Sequence, residues 1–288
     1  MSNLEGKTIA VLEARRAGEM AGLITRHGGV PYSAPALKEV PLDNNSDVAS
    51  FIQQLTESKV ALAIFLTGVG ARALLEAADD LGRLDQVLSA LEHMTVVARG
   101  PKPVAVLRQY KIRVDMVPPE PNTSEELLEM LRPLDLEGKT VAMQHYGQPN
   151  VFLRKALQEL GINVLEVSLY KWELPDDKGP LMRFLDDVQK GKIDVVAATS
   201  QMQVHNIFRL ARRFKQENVL RYVLNDAVAV AAVGPVCARA WEEWGVTVDI
   251  IPEHPKMGHL VLAIGEYLQL QERPGPKEIA ASHQRKST

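Results

Sequence analysis

Cysteine is almost absent from this chain. Cys237 is the single one, so no internal disulfide framework can hold the fold, and a reducing compartment is expected. Charge of one sign is lacking too. A net charge of −3 over 288 residues provides no global basic field of the kind that draws nucleic acid. Long apolar runs are missing, since none approaches the roughly 20 residues needed to span a bilayer. Glu5 and Lys7 precede the first apolar run, which is a short strand rather than the core of a signal peptide. A cytoplasmic protein is expected, with neither a nucleic-acid nor a membrane partner. Zinc and EF-hand spacings are absent, as are GxGxxG, Walker and GxSxG sequences. The seven histidines are scattered; His254 and His259 lie five apart without a carboxylate to complete a site. No metal and no cofactor are expected.

What is present is a repeat. "LEGKTIAV" at 4–11 returns as "LEGKTVAM" at 136–143, which is 132 positions on. "AIFLTGVGARAL" at 63–74 and "VVAATSQMQVHN" at 195–206 keep that offset. "VARGPKP" at 97–103 answers "AAVGPVC" at 231–237, and "VDMVPPEP" at 114–121 answers "VDIIPEHP" at 248–255, both offset by 134. One small indel therefore separates the halves. Two copies of a unit of about 130 residues imply two similar lobes, because a solenoid needs shorter and more numerous units.

Each copy alternates β-branched runs with amphipathic stretches. "KTIAVLEA", "VALAIFLT", "TVVARG" and "RVDMVP" predict strands in the first copy, and "KTVAMQHY", "IDVVAATS", "AVAVAAVG" and "VTVDIIP" in the second. "AGEMAGLITRHGG" predicts a helix closed by glycines, and "SEELLEML" one capped by Thr123 or Ser124. This alternation predicts an α/β protein of two similar doubly wound parallel-sheet domains. Two long segments, 30–42 and 162–175, exceed an ordinary strand and are broken or closed by proline. Each is expected to carry a strand and then leave its lobe, as one of two strands connecting the domains. The tail from Glu272, polar and rich in proline and charge, is expected to be disordered.

The chemistry falls at strand-to-helix turns. Thr67 and Gly68, Gly100 with its Pro101, Thr199 and Ser200, Gly234 and Pro235, and Met257 and Gly258 all stand where strand carboxyl ends meet helix N-termini. Free N–H groups and the helix dipole favour anions there, and ligands of such sheets bind at that edge. Arg15, Arg16, Lys102 and Lys256 lie at the same turns; singly, each also reads as a solvated surface cation. Repeated in both lobes and expected to face a shared cleft, the set predicts an anionic ligand.

At these turns the chain resembles the uroporphyrinogen-III synthase family over about residues 5–270. The family's Thr-Arg-Pro turn is met by Ala14, Arg15 and Arg16, and its Phe-Thr-Ser turn by "FLTGVGARAL" and "ATSQMQV". Its Gly-Pro-x-Thr turn is met by "VGPVCARAWEEWGV", with Cys237 where threonine is usual. Its closing region is met by "IPEHPKMGHLV", and the tyrosine ending its second connector by Tyr170 in "SLYKWELP". Ala14, Leu66 and Pro103 stand where the family often has hydroxyl residues.

The resemblance implies a chain that starts in one domain, crosses, completes the other and returns. Residues 1–33 with 176–271 would form one domain and 43–161 the other, with connectors at 34–42 and 162–175. It implies closure of hydroxymethylbilane to uroporphyrinogen III with inversion of ring D, without cofactor. Tyr170 would be the proton donor for the departing hydroxyl, and Gln201 would join the turn residues above in binding substrate. A monomer is expected, with a transient contact to hydroxymethylbilane synthase. The alternative is a non-catalytic, two-lobed binder of a small anionic ligand, such as a regulatory paralogue.

Overall fold

The structure, a computed structural model, describes residues 4–42, 45–57 and 59–270; the tail expected from Glu272 lies outside the described residues. The chain opens with β1 (Thr8–Val11), α1 (Ala17–Arg26), β2 (Val30–Ser33) and β3 (Lys38–Pro41). It continues through α2 (Asn45–Glu57), β4 (Val60–Phe65), α3 (Gly68–Asp80), α4 (Leu84–Glu92), β5 (Thr95–Ala98), α5 (Pro101–Gln109) and α6 (Ser124–Leu131). Next come β6 (Thr140–Gln144), α7 (Val151–Glu159), β7 (Asn163–Val167) and β8 (Tyr170–Glu173). The last elements are α8 (Gly179–Gln189), β9 (Val195–Ala198), α9 (Gln201–Arg213), α10 (Glu217–Asp226), β10 (Ala229–Ala232), α11 (Pro235–Glu243) and α12 (Met257–Leu270). Among the described residues no helix is long and apolar enough to cross a membrane.

Two compact units result. One runs to Lys38 and resumes at Glu173; the other is Glu39–Trp172. The first holds a sheet in the order β10-β9-β1-β2, the second a sheet in the order β5-β4-β6-β7. Every pairing in both is parallel. The two orders match strand for strand under the sequence repeat.

The opening repeat has a structural cause. Gly6 and Gly138 hold φ values of +73° and +72°, a region that glycine enters without steric cost. That turn lets the Lys7 N–H reach the Leu4 carbonyl at 2.8 Å and the Lys139 N–H reach the Leu136 carbonyl at 3.0 Å. It also directs Leu4 and Leu136 into the core. The other repeat is equally physical. Asp115 accepts the Val96 N–H at 2.8 Å, and Asp249 accepts the Val230 N–H at 2.8 Å. Each carboxylate satisfies a donor on the edge strand, β5 or β10, that has no further strand to pair with.

Strand alternation sorts the side chains onto two faces. In the first unit Ala10, Leu12, Val196, Ala198, Val230 and Ala232 join Phe184, Phe208 and Trp241 on one face. Ile9, Val11, Val195 and Ala197 join Met20, Leu260 and Ile264 on the other. The second unit divides likewise, with Ala63, Phe65 and Ala98 against Leu74, Leu75 and Leu107. Leu62, Ile64 and Val141 lie against Leu127, Leu153 and Leu157. Helices therefore cover both faces of each sheet, which is why the strands read as continuous apolar runs.

Two expected strands shrink. "RVDMVP" and "VTVDIIP" make only isolated parallel bridges, Val97 to Met116 and Ala231 to Ile250, because Asp115 and Asp249 turn back to cap the edge strand. The long segments divide. Residues 30–42 become β2, an edge strand of the first unit's sheet, and β3. Residues 162–175 become β7, an edge strand of the second unit's sheet, and β8. β3 and β8 pair as a separate two-stranded sheet, extended by the Leu42 N–H donating to the Leu169 carbonyl at 3.1 Å. The limits of the compact units fall within these segments.

Candidate functional site

The carboxyl edge of the second unit's sheet gathers the richest set of polar groups. Thr67 follows β4 and caps α3. Its Oγ1 accepts the Gly70 N–H at 3.1 Å, and its own N–H donates to Gln144 Oε1 at 3.3 Å. The Tyr170 hydroxyl lies 3.0 Å from the same Oγ1, and either can donate. Gln144 ends β6, is buried, and its amide also donates to the His145 carbonyl. A Cβ at Gly70 would collide with that amide, so only glycine lets the α3 turn approach β6.

Tyr170 is 3% exposed. It opens β8 rather than ending a strand as expected, since the chain breaks after β7 before pairing with β3. Trp172 meets the Tyr170 ring edge-on at 5.0 Å and donates its indole N–H to the Tyr146 carbonyl at 3.1 Å. The Tyr146 ring in turn faces the Arg99 guanidinium, whose Cζ lies 5.1 Å from the ring centre. Arg99 follows β5 and is partly buried. Burial pulls its pKa below the ordinary arginine value, opposed by Tyr146 and Tyr170.

Gly100 caps α5 and is buried, while Lys102 is exposed in its first turn. Gly68 stands close to that turn: a Cβ there would lie 2.8 Å from the Lys102 carbonyl. Pro101 and Pro103 lack N–H groups, so this helix start offers fewer donors than expected from its position. Beside β6, His145 is buried, with Nε2 2.7 Å from Glu166 Oε1 and Nδ1 accepting the Asn150 N–H at 3.2 Å. Burial lowers its pKa, outweighing the attraction of Glu166.

The first unit's carboxyl edge is built differently. Glu13 follows β1 and accepts the Arg15 N–H at 3.1 Å and the Arg16 N–H at 3.4 Å. Thr199 donates its hydroxyl to the same carboxylate, and the Gln203 amide approaches it at 3.4 Å. Gln203 also accepts the Thr199 N–H at 2.8 Å. Ser200 caps α9, accepting the Met202 N–H at 3.3 Å, and Gln201 is partly buried in its first turn. Gly234 is buried at the start of α11, with Pro235 exposed beside it. Burial pushes the Cys237 thiol up to about 12, so it is not an activated nucleophile.

The expected cations fare unevenly. Arg15, Arg16, Lys102 and Lys256 are all exposed. Arg16 is held by Glu19, with its Nε 2.6 Å from Oε2, and that pairing raises its pKa. Met257 is buried and Gly258 partly buried at the start of α12. Thr67, Gly68, Gly100 and Tyr170 come together at the second unit's edge; Thr199, Ser200 and Gln201 line the first unit's. Sequence reasoning missed Arg99, Tyr146, Gln144, Glu13 and Gln203. Laying the two repeats in register exposes them: Arg99 falls opposite Val233, His145 opposite Glu13 and Tyr146 opposite Ala14.

Two parallel sheets, each covered by helices and each presenting hydroxyl and amide side chains at its carboxyl edge, define a two-unit α/β protein. The chain belongs to the uroporphyrinogen-III synthase family, whose profile, described as Uroporphyrinogen-III synthase HemD, matches residues 18–262. The family is that of a cyclising lyase of tetrapyrrole biosynthesis. A putative uroporphyrinogen-III synthase of Methanothermobacter thermautotrophicus is 30% identical over 254 residues, covering 86% of this chain and 93% of the relative. YjjA of Bacillus subtilis, described as uncharacterized, is 29% identical over 269 residues, covering 93% and 98%. A crystal structure of a mutant uroporphyrinogen III synthase from the extreme thermophile Thermus thermophilus is 30% identical and covers 92% of this chain and all of that one, with a TM-score of 0.73.

Proposed function

We propose that this chain closes hydroxymethylbilane, a linear tetrapyrrole, into uroporphyrinogen III with ring D inverted. A carbon–oxygen bond breaks, a carbon–carbon bond forms, and one water leaves. Loss of the hydroxyl produces an azafulvene cation, which ring D attacks to give a spiro intermediate that rearranges. The family match over residues 18–262 carries this reading.

Tyr170 is the proposed proton donor. Its hydroxyl lies 3.0 Å from Thr67 Oγ1, and either can donate, so the pair is suited to passing a proton to the departing hydroxyl. The substrate carries eight carboxylates. The helix starts at Thr67 and Gly68, Gly100, Thr199 to Gln201, Gly234 and Pro235, and Met257 and Gly258 suit them, with Arg15, Arg16, Lys102 and Lys256 as outer cations. The main catalytic demand is conformational: a flexible chain must be held with its ends close and water excluded.

The test is an anaerobic assay with enzymatically generated hydroxymethylbilane, the isomers being separated by chromatography. Type III product without added metal or nucleotide is expected. Type I alone, the product formed without a synthase, would overturn the catalytic reading and favour the non-catalytic anion binder.

A further inference from the structure

We infer that Arg99 is the anion anchor of the second unit, taking one carboxylate of the tetrapyrrole in a bidentate contact. This rests on the tetrapyrrole reading above and adds to it a residue-specific contact. Arg99 is partly buried, and burial disfavours its charged form. Among the described residues no carboxylate lies in ion-pair reach of it, and no protein acceptor takes any of its side-chain N–H groups. Its ring contact with Tyr146 at 5.1 Å positions the cation and leaves those donors unused. A partly buried cation with no acid beside it keeps its donors for an anion from outside the protein. A planar fork of donors fits a carboxylate in two parallel bonds.

The surroundings point the same way. Arg99 immediately precedes the α5 cap, where the helix dipole favours an anion. Pro101 and Pro103 remove two backbone donors from that turn, so the side chain supplies what the backbone lacks. The matching position of the first unit is Val233. The mouth of that unit instead holds its own carboxylate, Glu13, on Arg15 N, Arg16 N and Thr199. One duplicated frame thus carries an unpaired cation in one copy and an internal anion in the other.

The experiment measures anaerobic binding of uroporphyrinogen III by calorimetry at two salt concentrations, for the wild type, Arg99→Met and Arg99→Lys, with thermal melts of each. Arg99→Met should weaken binding about 10- to 100-fold, as for loss of a charged hydrogen-bonded pair, and flatten the dependence of Kd on salt. Arg99→Lys, which keeps the charge and loses the fork, should recover part of the affinity and the full salt dependence. Unchanged affinity in Arg99→Met overturns the proposal, as does weaker binding with an unaltered salt dependence, which would mark Arg99 as a support for Tyr146. A wild type that does not bind uroporphyrinogen III overturns it as well. A wild type that binds but forms no type III isomer defeats only the synthase reading, and the Arg99 variants still decide the anchor.

Discussion

The Tyr170 hydroxyl stands 3.0 Å from Thr67 Oγ1, joining the first residue of β8 to the cap of α3. Residues 103 positions apart in sequence thus share one hydrogen bond at the carboxyl edge of a parallel sheet. The bond ties the proposed proton donor to the helix start that would receive a substrate carboxylate.

Tyr170→Phe removes this hydroxyl and keeps the ring. Its edge-on contact with Trp172 survives, so stability should fall by about 1 kcal/mol, the worth of one hydrogen bond. General acid catalysis typically contributes 10²- to 10⁴-fold. This substrate loses its hydroxyl readily even without enzyme, so the rate should drop by only roughly tenfold or somewhat more, with type III still the product. Initial rates and isomer analysis check this. A wild-type rate would make the tyrosine structural, and a much lowered melting temperature would show that the hydroxyl holds β8 in place.

Gly70→Ala puts a methyl group where the Gln144 amide lies. Overpacking of this kind costs about 1–3 kcal/mol, and here it also disturbs the bonds of Gln144 to Thr67 and His145. Gln144→Ala makes room but strands the Thr67 N–H. The double variant should therefore be more stable than the sum of the single losses, with a coupling of about 0.5–3 kcal/mol. Urea unfolding of the four proteins measures it, and strict additivity would show that the α3 turn moves away instead.

His145 makes stability depend on pH. Burial lowers its pKa in the folded chain below the ordinary 6.5, so the unfolded chain binds the proton more readily. The stability at stake is fully present above about 6.5 and is lost as pH falls from there through the folded value. Half-buried His205 is shifted in the same direction. Unfolding midpoints between pH 8 and 5 should fall for the wild type and fall less steeply for His145→Gln. Parallel curves for the two proteins would remove His145 from the account.

The fold was legible because its signals are local. The turn at Gly6 and Gly138 needs a residue that accepts positive φ, and the strands bury both faces, so both leave marks in the residue string. The edge aspartates were visible as a repeat, but their act was not. Asp115 and Asp249 bond backward to β5 and β10, and the expected fifth strands dwindle to single bridges. Thr67 and the other helix starts were found because caps and small residues announce themselves. Arg99 and Tyr146 were not, because a lone arginine before Gly-Pro looks like any surface cation until its surroundings are known.

By itself the sequence determined the duplication, the parallel α/β architecture and the family, since periodicity, turn chemistry and order of motifs all run along the chain. Only the tertiary structure decided which polar groups meet. Glu13 found Thr199 and two backbone donors, whereas Arg99 found an aromatic face and, among the described residues, no acid in ion-pair reach. Charge pairing depends on distances between residues far apart in the chain, which the order of residues alone does not give.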